Sequence, residues 1–154
     1  MRMILVYGVC FLLVFLGAGL CGQAADTTLT PPVHNLPNVA HRGASYSYPE
    51  NTIAAYRAAI NAGANGAECD VYKTADNALV LSHDRTTKRT MGGENKDITK
   101  LTLEEIRKLD AGIWKGKDFK GEKVPTLEEY LLLLKNTTCR PVIEIKMEGI
   151  ETLV

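Results

Sequence analysis

The chain has 154 residues, with 18 basic and 18 acidic side chains and a formal net charge of zero. That balance excludes functions resting on global charge, such as non-specific binding to nucleic acid or to an anionic membrane. The length allows one domain and the apolar fraction of 45% is that of an ordinary globular protein, so charged chemistry has to be local.

The first residues read as a leader. Arg2 precedes an almost wholly apolar run over residues 4–20, and "GQAAD" follows with small residues on both sides of Gln23. This is the pattern of a secretory signal, so residues 1–24 are expected to be cleaved and the protein exported, to the periplasm or outside the cell. The alternatives are an uncleaved anchor and lipid attachment at Cys21. The run is short for a span of about 20 apolar residues, and Leu20 is larger than the residue that usually precedes a lipidated Cys. Membrane contact is expected only through this segment. Residues 25–38 hold three Pro and little periodicity, and read as a linker. His34, within it, is given no role.

Strand and helix signals then alternate. Residues 39–42 suggest a short strand. Residues 51–62 suggest a helix with Asn51 as N-cap, Gly63 as its stop, and Ile53, Tyr56 and Ile60 facing a sheet. Residues 67–72 and 79–83 read as strands, joined by the turn-rich "KTADNA". Residues 84–100 are polar and read as a loop. Thr102 with Glu105, and Thr126 with Glu129, have capping-box spacing, and Leu101 with Ile106 supply a hydrophobic staple for the first of these helices. Residues 142–146 form the last strand signal. This alternation predicts parallel β/α architecture, and in a β/α barrel active sites lie at the C-terminal ends of the strands.

Alternation along a strand puts Glu68 and Asp70 on one face, and Glu144 and Lys146 on one face of the last strand. The apolar partners Cys69, Val71, Ile143 and Ile145 then pack outward. Three carboxylates sharing one interior are costly unless something neutralises them. Arg42 and Lys146 supply part of that charge. A divalent cation supplies more, and all-oxygen ligands suit Mg²⁺ or Ca²⁺ better than Zn²⁺. The competing reading is an internal network of ion pairs, which would have no need of His41 and His83 at strand tips. Placed on the first and third strands, these two imidazoles would lie about 10 Å apart with the second strand's carboxylates between them, a gap that suits a phosphate.

The segments "HRGASYSYPENT", "ECDVYKTADNALVLSHD", "VPTLEEYL" and "VIEIK", in this order and spacing, closely resemble the glycerophosphodiester phosphodiesterase family from about residue 39 to the end. The resemblance implies a β/α (TIM) barrel and a metal-dependent hydrolase that converts glycerophosphodiesters to glycerol 3-phosphate and an alcohol. It implies His41 and His83 as general base and acid, Glu68, Asp70 and Glu144 as ligands of Mg²⁺ or Ca²⁺, and Arg42 and Lys146 as phosphate-binding groups. Residues 90–126 resemble the small insertion of these enzymes, which favours them over a related secreted phospholipase acting on intact lipids. Retention of both His argues against a non-catalytic phosphate- or metal-binding module.

A closed β/α barrel takes about 250 residues. Residues 39–154 supply only about the first four strands, with the insertion after the third. They are therefore expected to be the N-terminal part of a longer barrel, unstable and inactive by itself. Of four Cys, Cys69 and Cys139 lie beyond the leader. They are expected to be free thiols, since strands two and four would not be neighbours and a disulfide needs Cα atoms within about 7 Å.

Overall fold

The computed structural model describes residues 38–154; the expected leader and the linker up to residue 37 lie outside them. The elements are β1 (Val39–Ala40), α1 (Ile53–Asn61), β2 (Gly66–Lys73), β3 (Leu79–Leu81), α2 (Leu103–Arg107), α3 (Leu127–Leu134) and β4 (Arg140–Ile145). They form part of an α/β barrel wall. No described helix is long and apolar enough to cross a membrane.

β2 is the axis of the sheet. β1 pairs with it in parallel at Gly66 and Ala67, and β4 pairs in parallel from Gly66↔Arg140 to Val71↔Ile145. β3 is antiparallel to β2, with Val71 opposite Leu81. This corrects the expectation of a third parallel strand. Only five residues, 74–78, join β2 to β3, and a parallel crossover needs a dozen or more. The link closes as a hairpin, with Asn77 at φ +65° and the Thr74 N–H donating to the Ala78 carbonyl at 2.9 Å. β4 overlaps both β1 and β3 along β2, so it must occupy the opposite edge. β1 and β3 share the other edge and approach each other end to end.

The outer face carries the core. Ala67, Cys69 and Val71 of β2 are fully buried with Tyr56 and Ala59 of α1 and Leu127, Tyr130 and Leu134 of α3. The rings of Tyr56 and Tyr130 meet edge to face at 4.7 Å, and the Tyr130 hydroxyl donates to the Ala67 carbonyl at 2.5 Å. The buried stripe of α1 is Ala55, Tyr56 and Ala59. It was expected to be Ile53, Tyr56 and Ile60, but the two alanines let the helix approach the sheet, leaving Ile60 at the margin of the core. A second cluster, including Tyr72, Val80, Met91, Ile98, Leu101, Ile106 and Val124, anchors residues 84–124 on the hairpin.

Local signals set the helix ends. Both expected capping boxes form, Thr102 with Glu105 and Thr126 with Glu129. Leu101 and Ile106 are both buried in the second cluster, as a staple requires. Gly63 ends α1 at φ +79°. The N-cap of α1 is Thr52, whose Oγ1 accepts from the Ala55 N–H, and not Asn51. Asn51 is at φ +56° and its side chain turns to the inner face of the sheet.

Cys69 and Cys139 are buried free thiols, as expected, but the expected reason fails because β2 and β4 are neighbours. Cys69 is opposite Ile143, four positions from Cys139, and that offset is about 13 Å along a strand.

Candidate functional site

The inner face of β2 presents Glu68 and Asp70, and the β2–β4 register sets Glu144 directly opposite Asp70. One carboxylate oxygen from each of the three lies within 4.8 Å of the others. Like charges facing each other across a sheet are destabilising, so each needs compensation.

Arg42 and Lys146 supply much of it. Lys146 continues the β4 ladder, its N–H donating to the Val71 carbonyl. Its Nζ lies 2.9 Å from Glu144 Oε1 and 3.4 Å from Asp70 Oδ1. The chain turns sharply after β1 through two positive φ values, Arg42 at +58° and Gly43 at +78°. A Cβ on Gly43 would lie 2.8 Å from the Ala55 backbone, so the close approach of this loop to α1 requires glycine. The turn aims the Arg42 N–H at Glu68 Oε2 (2.8 Å) and places Arg42 Nε 3.3 Å from Asp70 Oδ2. His41, largely exposed, has Nε2 4.0 Å from Glu68 Oε2.

The compensation is incomplete. Glu68 Oε1, Asp70 Oδ1 and Arg42 Nε are buried without an aligned hydrogen-bond partner, even though the last two are within ion-pair distance of an opposite charge. Burial, then repulsion from Asp70, pushes the Glu68 carboxyl up to about 7. Glu144 goes the other way. The Lys146 hydrogen bond outweighs burial, and His83 adds to the lowering. Two buried acceptor oxygens without an aligned hydrogen bond, in a cluster of three carboxylates, fit a hard divalent cation, and Glu68, Asp70 and Glu144 could hold one.

The expected His geometry is corrected. His41 and His83 do not stand on the first and third of three parallel strands with β2 between them. They lie on the same edge of β2, His41 following β1 upward and His83 following β3 downward. The Ser82 N–H donates to the Asp70 carbonyl at 3.0 Å, which brings the segment carrying His83 to the carboxylates. His83 Nδ1 lies 2.7 Å from Asp84 Oδ1.

Four residues that sequence reasoning passed over complete the site. Asn51, 4% exposed, donates from Nδ2 to Asp70 Oδ2 at 2.8 Å. Its Oδ1 accepts from the Tyr56 hydroxyl at 2.7 Å and from the Asp70 N–H at 3.3 Å. Glu50 accepts from Arg42 Nη1 at 3.1 Å. Arg89 bridges Glu50 and Asp84. Burial works to raise Glu50, but Arg89 and then Arg42 outweigh it and hold that carboxyl below its ordinary value. The Arg89 hydrogen bonds, opposed by partial burial, bring Asp84 down to about 2. The adjacency of Glu50 and Asn51 to the turn after β1, and of Asp84 to His83, was the available signal. Arg89, inside a polar loop, gave none.

Comparison with known proteins places this arrangement. Residues 41–152 match the model of the glycerophosphoryl diester phosphodiesterase family. A glycerophosphodiester phosphodiesterase of Caldanaerobacter subterraneus subsp. tengcongensis is 50% identical over 108 residues, 70% of this chain and 44% of the relative. A crystal structure of the Agrobacterium tumefaciens glycerophosphodiester phosphodiesterase superposes with TM-score 0.66 and 41% identity, covering 70% of this chain and 46% of that one. The structure of an Oleispira antarctica phosphodiesterase in complex with the product sn-glycerol-3-phosphate gives TM-score 0.70 and 38% identity, covering 75% and 47%. The chain thus spans less than half the length of these relatives. It carries the inner-face carboxylates, the basic groups and the barrel-wall topology on one continuous matched segment, and it belongs to the glycerophosphoryl diester phosphodiesterase family.

Proposed function

We propose that the full-length protein containing this chain hydrolyses glycerophosphodiesters to glycerol 3-phosphate and an alcohol, with Mg²⁺ or Ca²⁺ held by Glu68, Asp70 and Glu144. The observation that carries this reading is the cluster of three carboxylates with two buried oxygens, Glu68 Oε1 and Asp70 Oδ1, that lack an aligned hydrogen bond. An unsatisfied buried acceptor costs about 1–3 kcal/mol, which a bound cation would offset and an ion-pair network alone would not.

A bound divalent cation would withdraw charge from a phosphate oxygen and stabilise the negative charge that builds up on phosphorus substituents during displacement. The protein's own groups do the rest. Arg42 and Lys146 line the carboxylate cluster and offer donors to the remaining phosphate oxygens. His41 and His83 divide the proton transfers. One imidazole takes the proton of the attacking hydroxyl, from water or a neighbouring glycerol hydroxyl, as the new P–O bond forms. The other gives a proton to the alcohol oxygen as its bond to phosphorus breaks. Asp84 accepts from His83, so Nε2 is the nitrogen left to exchange a proton.

The test is turnover of glycerophosphocholine by the full-length protein after exhaustive chelation, with Mg²⁺ or Ca²⁺ restored, and in His41→Ala and His83→Ala. Loss on chelation with recovery on re-addition is expected, and about 100- to 10,000-fold loss in either variant. Undiminished turnover without metal would remove the cation from the reading. Full activity of either variant would remove that His from the chemistry.

A further inference from the structure

We infer that Arg89 is a positioning residue that ties His83 to Arg42, locking a proton-transfer group and a phosphate-binding group into one relative geometry. The inference rests on the roles proposed above for His83 and Arg42.

One guanidinium makes two forked contacts. Arg89 Nε and Nη2 donate to Asp84 Oδ2 and Oδ1 at 2.7 and 3.0 Å. Nη1 and Nη2 donate to Glu50 Oε2 and Oε1 at 2.8 Å each. These carboxylates belong to different segments, Glu50 to the turn after β1 and Asp84 to the end of the β3 segment. Each has its other partner in the proposed machinery. Asp84 Oδ1 lies 2.7 Å from His83 Nδ1, and Glu50 Oε1 lies 3.1 Å from Arg42 Nη1. The order of contacts is His83, Asp84, Arg89, Glu50, Arg42, Asp70.

The tautomer follows. An ionised carboxylate only accepts hydrogen bonds, so at 2.7 Å His83 Nδ1 must carry the proton. Asp84 can impose that tautomer only while its own two oxygens are held, and Arg89 holds both. Only arginine fits the position, because a planar fork can serve two carboxylates bidentately and an ammonium cannot. Arg89 is itself well anchored. Its neighbours Thr87, Thr90 and Met91 are buried, and Thr87 Oγ1 ties residues 87–96 together by donating to the Glu94 carbonyl and accepting from the Lys96 N–H.

Exposed ion pairs are generally worth little, and Arg89 is 42% exposed at its side chain. The competing reading is therefore a surface network that merely staples a loop. The two readings differ in what Arg89→Met and Arg89→Lys do in the full-length protein. A positioning role predicts about 10- to 100-fold loss of kcat on glycerophosphocholine in Arg89→Met, from misplacement alone. It also predicts partial recovery with added guanidinium ion and no comparable recovery in Arg89→Lys. Because Arg89 acts on His83 through Asp84 and on Arg42 through Glu50, adding Arg89→Met to Asp84→Asn with Glu50→Gln should lose little more than that pair alone. Nitrogen NMR of labelled histidine gives a readout independent of turnover. His83 should show a fixed Nδ1–H tautomer in the wild type and an averaged pair of tautomers in Arg89→Met, if that variant folds, and in Arg89→Lys. An inactive wild type would overturn the proposed function while the NMR still decides the clamp. Retention of kcat within twofold, a further multiplicative loss when Arg89→Met is added to the Asp84→Asn, Glu50→Gln pair, or an unchanged His83 tautomer would overturn the inference.

Discussion

Asn51 offers a sharp test of how the site is held. Its side chain is buried, donates to Asp70 Oδ2 and accepts from the Tyr56 hydroxyl, while its backbone is at φ +56°. Asn51→Gly keeps a backbone that tolerates positive φ and removes only the side chain. The loss has three parts, one of them the weak 3.3 Å bond that the buried Asp70 N–H donates to Oδ1. A hydrogen bond to the Asp70 carboxylate is worth about 1.5–3 kcal/mol, and the Tyr56 hydroxyl, on a fully buried ring, is left without an acceptor at about 1–3 kcal/mol. Allowing for partial relaxation, about 3–5 kcal/mol of stability should be lost. Asn51→Ala should lose about 1 kcal/mol more, because alanine at positive φ is strained. Combining Asn51→Gly with Tyr56→Phe removes the orphaned hydroxyl, so the double variant should be more stable than the sum of the singles predicts. Urea denaturation of the full-length protein gives these differences, and calorimetry with Mg²⁺ or Ca²⁺ reports whether Asp70 is still placed to bind. A loss below about 1 kcal/mol in Asn51→Gly, with unchanged metal affinity, would show that Asp70 is positioned by the strand alone.

Further outcomes follow from the same contacts. Glu68, pushed up to about 7, holds its proton in the folded chain at pH values where the unfolded chain has lost it. Metal-free stability should therefore fall as pH rises from about 4.5 to about 7, by up to about 3 kcal/mol, and level off above. Added Mg²⁺ or Ca²⁺ should raise the melting temperature more at pH 8 than at pH 5, and equal shifts would refute the assignment. Gly43→Ala forces a Cβ to 2.8 Å from the Ala55 backbone at φ +78°, so it should cost more than about 2 kcal/mol and reduce phosphate affinity through displacement of Arg42. Thr126→Ala opens the capping box of α3 and should cost about 1 kcal/mol by thermal denaturation without changing kcat.

Much of the site was legible before the fold. Period-two alternation put Glu68 and Asp70 on the face opposite Cys69 and Val71, and the pleat enforces that whatever the strand's neighbours are. Capping boxes at Thr102 and Thr126 were legible for the same reason, since their partners lie three residues away. The hairpin was legible in principle, because five linking residues cannot make a parallel crossover. Reading residues 79–83 as a barrel strand gave the wrong neighbours for β2 and the wrong geometry for the His pair. Other features depended on where distant segments end up. Asn51 has the sequence character of an N-cap, but Asp70 and Tyr56 offer its side chain stronger partners in a buried setting, and Thr52 takes the cap instead. The pairing of Asp70 with Glu144 comes from the β2–β4 register, set across 74 residues by packing against α1 and α3. Arg89 acquires meaning only when the turn after β1 and the end of the β3 segment deliver Glu50 and Asp84 to one guanidinium. The sequence determined which side chains share a face because that follows from backbone geometry within a few residues. The tertiary structure decided which faces meet, because that depends on burial and loop closure over the whole described chain.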